Sequence, residues 1–529
     1  MVGFGDNNQL KKRKKYYSYN KSEYHQILHQ AIKYQSEGNI TRASKLYEFL
    51  IGKGFKDNAL FGNYGIILIN AGRLKDAELL IRKAIELNPK DATLYSNIGG
   101  IQKNLGRLKD AELSIRKAIE LNPKDATLYS NLGTILKDLG KLEDAELSIR
   151  KAIELDPKDA TLHSKLGANL TDLGKLEDAE LSIRKAIELD PHLAIAYLAL
   201  SDFHKSNSKN TKWQEKLFEE NFLSNREPKE KIDIYFARAN IHHKNRRFEK
   251  SANCLSLANQ LKLNINPSNS EIIIKKSEVL LIESEKNEIK YKEQNNFSKY
   301  IFIVGMPRSG STLLESIISM RNNVYDLGEV NIFEESFLKF KKSKKDKNLV
   351  DIYEEKIREK TDLDITTNKN LFNYQYAGII AAHLPQAKII YCFRNPLDNI
   401  LSIYRAHFYQ QISYASSLTD CANIYLNHEE IMSKYKKRFG SQIYNVNYDL
   451  LVTQPNTEIK SLINWLNWEW QESYLSPHLN IRSVSTASNV QVRSPINSNS
   501  IGGWKKYKKM LKPAMKIITQ KNKYKDLKY

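Results

Sequence analysis

Ile301-Phe302-Ile303-Val304-Gly305-Met306-Pro307-Arg308-Ser309-Gly310-Ser311-Thr312 decides how the second half of this 529-residue chain folds. Four consecutive apolar residues predict a buried strand. A hydroxyl-rich loop bounded by Gly305 and Gly310 follows, and the run 313–319 predicts a helix directly after it. A strand, such a loop and a helix N-terminus aim unpaired backbone N–H groups at one point, which makes a cradle for an anion. The spacing Gly305-x4-Gly310 followed by Ser311-Thr312 is that of a nucleotide phosphate loop, with one difference. The Lys that an NTPase sets after the second glycine is Ser311 here, and the cation of the loop is Arg308.

Further along, 388–393 predicts a second buried strand that ends in Arg394-Asn395-Pro396, with a helix starting through 400–404. A third strand is predicted over 443–448. Strands alternating with helices predict a three-layer α/β domain with a parallel sheet and ligands at the carboxyl ends of its strands. An NTPase places an Asp at the end of a neighbouring strand to hold Mg²⁺. Arg394 stands there instead, and a guanidinium repels a metal and grips a phosphate with two N–H groups. Ser402, in the helix that follows, can return to the same anion. Two separated phosphate cradles without a metal ligand fit a nucleotide carrying groups at both its 5′ and 3′ positions better than ATP.

The first half has a different periodicity. Ala77-Glu78-Leu79, Ala111-Glu112-Leu113, Ala145-Glu146-Leu147 and Ala179-Glu180-Leu181 recur every 34 residues, and each copy closes on Pro89, Pro123, Pro157 or Pro191. A 34-residue period of two helices stopped by proline identifies a tetratricopeptide (TPR) array, an α-helical superhelical solenoid. In the copy from Ala126, Tyr129, Leu132, Gly133 and Leu136 share one helix face. Gly140 turns the chain, and Leu142, Ala145, Ile149 and Ala152 face back. The array is predicted over 22–193, with a basic tail over 1–21 before it. A degenerate helical connector is predicted over 194–297, including a helix pair at 232–263, and the α/β domain over 298–529.

The net charge of +21 favours anionic partners and is concentrated at the ends. Lys11-Lys12-Arg13-Lys14-Lys15 lies near the start, and the chain after Trp504 is dense in Lys, which reads as a second solvated tail. No aromatic-interleaved RNA motif or zinc-knuckle spacing is present, so specific nucleic-acid binding is not expected. Cys254, Cys392 and Cys421 are scattered, which predicts no metal site or disulfide framework and fits a reducing, cytoplasmic setting. No signal peptide or transmembrane stretch is predicted.

With these residues in view, Pro307-Arg308-Ser309-Gly310-Ser311-Thr312 resembles the 5′-phosphosulfate loop of the sulfotransferases, and 394–402 resembles their 3′-phosphate motif. The branch it is most similar to holds the tyrosylprotein sulfotransferases and bacterial proteins that fuse TPR arrays to a sulfotransferase domain. Asn368-Lys369-Asn370-Leu371-Phe372 resembles the family's segment with its catalytic Lys. Tyr448-Asp449-Leu450-Leu451 resembles a segment near the nucleotide. The stretch 488–497 resembles the one that brings a Ser to the leaving group, with Trp504 at the family's distance. The resemblance implies 3′-phosphoadenosine 5′-phosphosulfate (PAPS) as donor, no metal, and an acceptor hydroxyl or amine. It implies that Arg308, Lys369 and Ser488 stabilise developing charge. It also implies that Arg308, Ser309, Gly310, Ser311, Thr312, Arg394, Ser402, Tyr448, Ser488 and Lys505 bind the nucleotide.

The candidate base is Glu329 in Leu327-Gly328-Glu329-Val330. Here the chain departs from the animal tyrosine enzymes, which have Gly-Glu-Glu and use the second Glu, a position held by Val330. The alternative for Glu329 is a helix-capping carboxylate. Gly503 replaces a cation the family often sets before Trp, and Lys505 or Lys506 is expected to compensate. A protein or peptide acceptor is expected to use the TPR groove, and the resemblance to the tyrosylprotein enzymes implies tyrosine as one such acceptor; the alternatives are that the array dimerises the chain or docks it. A scaffold with a decayed catalytic domain is disfavoured by Arg308, Lys369, Arg394, Ser402 and Ser488 occurring together. A kinase is disfavoured by Ser311 and the missing Asp.

Overall fold

A computed structural model describes residues 20–204, 212–286, 299–343, 348–408, 412–480, 482, 484, 486 and 489–528. The basic run at 11–15 and Ser488 lie outside these residues. The chain divides into two compact units, 1–157 and 158–529.

The repeat chemistry builds the first unit. Its helix pairs are Lys21–Ser36 with Ile40–Gly52, Asn58–Asn70 with Leu74–Leu87, Ala92–Asn104 with Leu108–Leu121, and Ala126–Asp138 with Leu142–Leu155. Asp57, Asp91 and Asp125 each cap the leading helix of a pair by accepting backbone N–H groups. A Cβ at Gly133 would lie 2.6 Å from Ile149 Cγ1, so the pair closes only over a residue without a side chain. Ala145, Ile149 and Ala152 are buried beneath it.

The second unit opens with one more pair, Ala160–Leu173 and Leu176–Leu189. Further helices follow, among them a hairpin of Pro228–Lys244 and Phe248–Ile265, and then Ser270–Glu285. Five parallel strands come next: β1 (Tyr300–Gly305), β2 (Val324–Asp326), β3 (Ile365–Asn368), β4 (Ala387–Phe393) and β5 (Ile443–Asn447). Their order is β2-β3-β1-β4-β5, with Ile301 beside Thr367 on one side and Lys388 on the other. Side chains alternate across β1. Tyr300, Phe302 and Val304 join one apolar cluster, and Ile301 and Ile303 join another on the opposite face. The sheet is thus the middle of three layers, and the predicted combination of a helical repeat region and a parallel α/β domain is what forms. The chain leaves β1 toward β2 and β3, then crosses to β4, so the sheet reverses direction between β1 and β4. Ligands of open parallel sheets bind at such a point, beyond the carboxyl ends of the strands.

A third apolar cluster ignores the predicted domain borders. It runs from Ile183 and Ala186 through Phe236, Leu255 and Ile400 to Leu511 and Ile518. Polar contacts reinforce it: Asn259 Nδ2 donates to Tyr404 O at 3.0 Å, and Lys262 Nζ to Phe408 O at 2.6 Å. The segment after Trp504 is therefore not a solvated tail. It forms the helix Lys508–Ile518, and Leu511, Ala514, Met515 and Ile518 are buried on one face. The lysines occupy the other face, which is why charge density alone misreads this segment.

Candidate active site

The loop after β1 is shaped by two unusual backbone conformations. Arg308 has φ +64°, and Gly310, which caps the helix Ser311–Ile318, has φ +100°. A Cβ at Gly310 would lie 2.2 Å from Tyr448 Cδ2, so the loop and the Tyr448 ring touch through a bare backbone. Ser309 Oγ is buried and, among the described residues, has no hydrogen-bond partner. Arg308 Nε donates to Ser402 Oγ at 3.2 Å and its Nη2 to Gln491 Oε1 at 2.6 Å. Burial, then the nearby Arg394 and Arg405 guanidinium groups, push the Arg308 pKa down to about 10. Such a shift marks a site crowded with positive charge.

Arg394 follows β4 directly and is almost fully buried. Its Nη2 donates to Ser500 O at 2.6 Å and its Nη1 to Arg308 O at 3.4 Å. The guanidinium lies 4.7 Å from the centroid of the Tyr448 ring, a cation–π arrangement that fixes its plane. Among the described residues Arg394 Nε makes no hydrogen bond, and it lies 4.0 Å from Asp449 Oδ1. The helix Pro396–Arg405 carries Ser402 and Arg405 three residues apart, on neighbouring faces. Within it, Asp398 accepts from the backbone N–H groups of Gly502 at 2.7 Å and Trp504 at 2.9 Å, which ties the C-terminal stretch over the site.

These groups surround a cavity of about 680 Å³ at the β1/β4 crevice, lined by Arg308, Arg394, Ser402, Arg405, Lys244 and Lys506 among others. The volume is in the range of small-molecule sites. A nucleotide with separated phosphates fits the donors present. The orphaned Ser309 Oγ lies buried in the loop, and Arg394 and Ser402 line the cavity.

On the other side of β1 sits an ion-pair chain. Lys369, directly after β3, is fully buried. Its Nζ meets Glu329 Oε1 at 2.5 Å and lies 3.9 Å from Glu315 Oε2. Arg482 continues the chain, donating to Glu315 Oε2 at 3.1 Å and also pairing with Asp326. Glu329 is 45% exposed at its side chain, so its carboxylate reaches both Lys369 and solvent. It does not cap a helix: Asn331 holds the N-cap position of Ile332–Lys342.

The structure brings Arg308, Gly310, Thr312, Arg394, Ser402 and Tyr448 around the cavity, with Ser309 and Ser311 buried in the loop itself. Glu329 and Lys369 pair with each other and are not in the cavity lining. Lys505 is exposed and outside the lining; Lys506 lines it instead. Ser488 lies outside the described residues. Residues missed by the sequence reading are Gln491, Asp398 and Lys244. Gln491 sat inside a quoted segment. Asp398 lies in the first turn of its helix and Lys244 in the last turn of its own, positions where an acid and a cation complement the helix dipole and give no separate sign of a site.

The sulfotransferase family's sequence model matches residues 346–472, and the tetratricopeptide repeat model matches 59–91, 92–125, 126–159 and 160–193. The chain carries TPR repeats and a sulfotransferase-family domain. The matched part of that domain holds Lys369, Arg394, Ser402 and Tyr448, while Arg308 and Glu329 precede it. The family implies a PAPS-type donor, and the repeats imply protein interactions. An uncharacterized protein of Aquifex aeolicus (strain VF5) is 29% identical over 244 residues, which are 42% of this chain. The match covers 32% of that protein, so the chain spans about a third of the length of this curated relative. Crystal structures of MamA, including residues 41 to the end of MamA from Desulfovibrio magneticus RS-1, share 20% identity. They cover 30–32% of this chain and 94–96% of their own, with TM-scores of 0.29–0.31. Scores that low add nothing to the reading of the site. Among the described residues no helix is long and apolar enough to cross a membrane.

Proposed function

We propose that the α/β domain transfers a sulfuryl group from PAPS to an acceptor hydroxyl, with a tyrosine in a protein or peptide brought by the TPR array as the favoured acceptor. The observation that carries the reading is the pair of cation-bearing cradles at the β1/β4 crevice, Arg308 with the loop N–H groups and Arg394 with Ser402, the first holding a buried Ser309 Oγ that has no hydrogen-bond partner among the described residues. Bound PAPS supplies an activated sulfuryl group on its 5′-phosphate. Arg308 and the helix N-terminus hold the 5′ anion, and Arg394 and Ser402 hold the 3′-phosphate. Glu329, half-exposed and in contact with Lys369, takes the acceptor proton; a phenol with pKa about 10 needs such a base. Lys369 holds the carboxylate in place. Ser488 and Lys505 have roles by resemblance alone. The free thiols of Cys254, Cys392 and Cys421 suit a cytoplasmic setting.

Calorimetric titration with adenosine 3′,5′-bisphosphate (PAP) tests the donor site. Micromolar binding that disappears in Arg394→Ala is expected, and no binding by the wild-type protein would overturn the reading. Labelling of cell extract with [³⁵S]PAPS followed by mass spectrometry then identifies the acceptor.

A further inference from the structure

The wall of the cavity opposite the sheet does not come from the α/β domain. The hairpin Pro228–Lys244 and Phe248–Ile265 supplies His243, Lys244, Arg246 and Phe248 to the lining. The hairpin is fixed there: His243 Nδ1 is 2.8 Å from Tyr507 OH, which donates to Ser251 Oγ at 3.0 Å. Lys244 Nζ donates to the backbone carbonyls of Ser201 at 3.1 Å and Asp202 at 2.6 Å, which holds the ammonium at the cavity edge.

Like charges accumulate where the hairpin meets the helix of Ser402. Burial lowers the pKa of Lys244, the Asp202 carboxylate raises it and Arg405 lowers it again; burial, Arg394 and then Arg405 lower that of Arg308, so the three cations of Lys244, Arg308 and Arg405 share one electrostatic neighbourhood in the cavity lining. Among the described residues the Arg405 guanidinium makes no hydrogen bond or ion pair. Two carboxylates face the cluster. Asp202 acts on Lys244, Arg308 and Arg405. Asp398 is already engaged by the N–H groups of Gly502 and Trp504. Assembling like charges in a half-buried space opposes folding, and a bound anion removes that opposition.

We propose that the helical hairpin completes the nucleotide site, with Lys244 and Arg405 gripping the 3′-phosphate beside Arg394 and Ser402. This rests on the donor reading above and adds to it that 3′-phosphate recognition depends on a helix outside the sulfotransferase-family domain. The hairpin thereby becomes a determinant of donor specificity.

The test compares PAP with AMP, which lacks the 3′-phosphate, by calorimetry on the full chain. The wild type is expected to prefer PAP by at least a hundredfold. Lys244→Gln and Arg405→Gln are each expected to cut PAP affinity about tenfold or more, with AMP affinity unchanged within twofold, and Lys244→Arg is expected to restore most of the loss. Arg405→Gln guards against a folding defect, because removing one of several like charges leaves the ligand-free melting temperature unchanged or higher. Both variants keeping the wild-type PAP/AMP ratio would overturn the proposal while leaving the donor reading intact. A wild type that does not distinguish PAP from AMP would overturn both.

Discussion

Replacing Gly310 by Ala perturbs the cradle at its tightest point. Two costs follow from the geometry. At φ +100° an L-residue is strained by roughly 1–2 kcal/mol. The new Cβ would also start 2.2 Å from Tyr448 Cδ2, so the ring must retreat by about 1 Å or more, at roughly 1–3 kcal/mol of overpacking. The retreat matters because Arg394 lies 4.7 Å from the centroid of that ring. Moving the ring takes the guanidinium off its anion, and a charge-assisted hydrogen bond is worth about 1.5–3 kcal/mol. PAP affinity in Gly310→Ala is therefore expected to fall roughly 10- to 100-fold in a calorimetric titration. Gly140→Ala is the control. Its φ of +78° carries similar backbone strain, but a Cβ there meets nothing within 4 Å, so PAP binding should be unchanged. A Gly310→Ala protein that binds PAP within twofold of wild type would refute the placement of the anion against this loop.

Glu329→Gln keeps the side chain's size and removes the base; single-turnover transfer should slow by about 10²–10⁴-fold with PAP affinity retained, and a full rate would exclude Glu329 as base. Leu511→Ala should lower stability by about 2–5 kcal/mol, seen as an earlier thermal transition, because Leu511 is fully buried in the shared core; a solvated tail predicts no change. Burial holds His243 and His428 down to about 3 in the folded protein. Between about pH 6.5 and 3 the unfolded chain binds protons that the folded chain refuses, so the stability is complete above 6.5 and drains away as pH falls. The unfolding free energy from urea titration should drop between pH 7.5 and 5, by up to ~1.4 kcal/mol per pH unit for each histidine, and His428→Gln should shallow the slope.

The long, uniform features were legible. β1 and β4 are continuous apolar runs, and the repeats spell their own period, so both halves of the fold could be read from residue type alone. β2 and β3 could not, because strands of 3 and 4 residues leave no periodic signal and exist through pairing with β1 and with each other. The cradle residues were readable because their spacing along the chain is short. Lys244 and Asp398 were not, since what makes them part of the site is packing between elements more than a hundred residues apart. The segment after Trp504 was misread because its lysines outnumber the four buried residues that decide its place.

The apolar cluster that runs from Ile183 to Ile518 bears on how such chains can be recombined. A graft that joins a foreign repeat array just before β1 would cut through this shared interior and leave the cavity without one wall. A junction between Pro157 and Lys158 would leave it whole. The portable unit is therefore longer than the sulfotransferase-family domain it contains. It takes in the last repeat and the hairpin, while the earlier repeats are the part open to exchange.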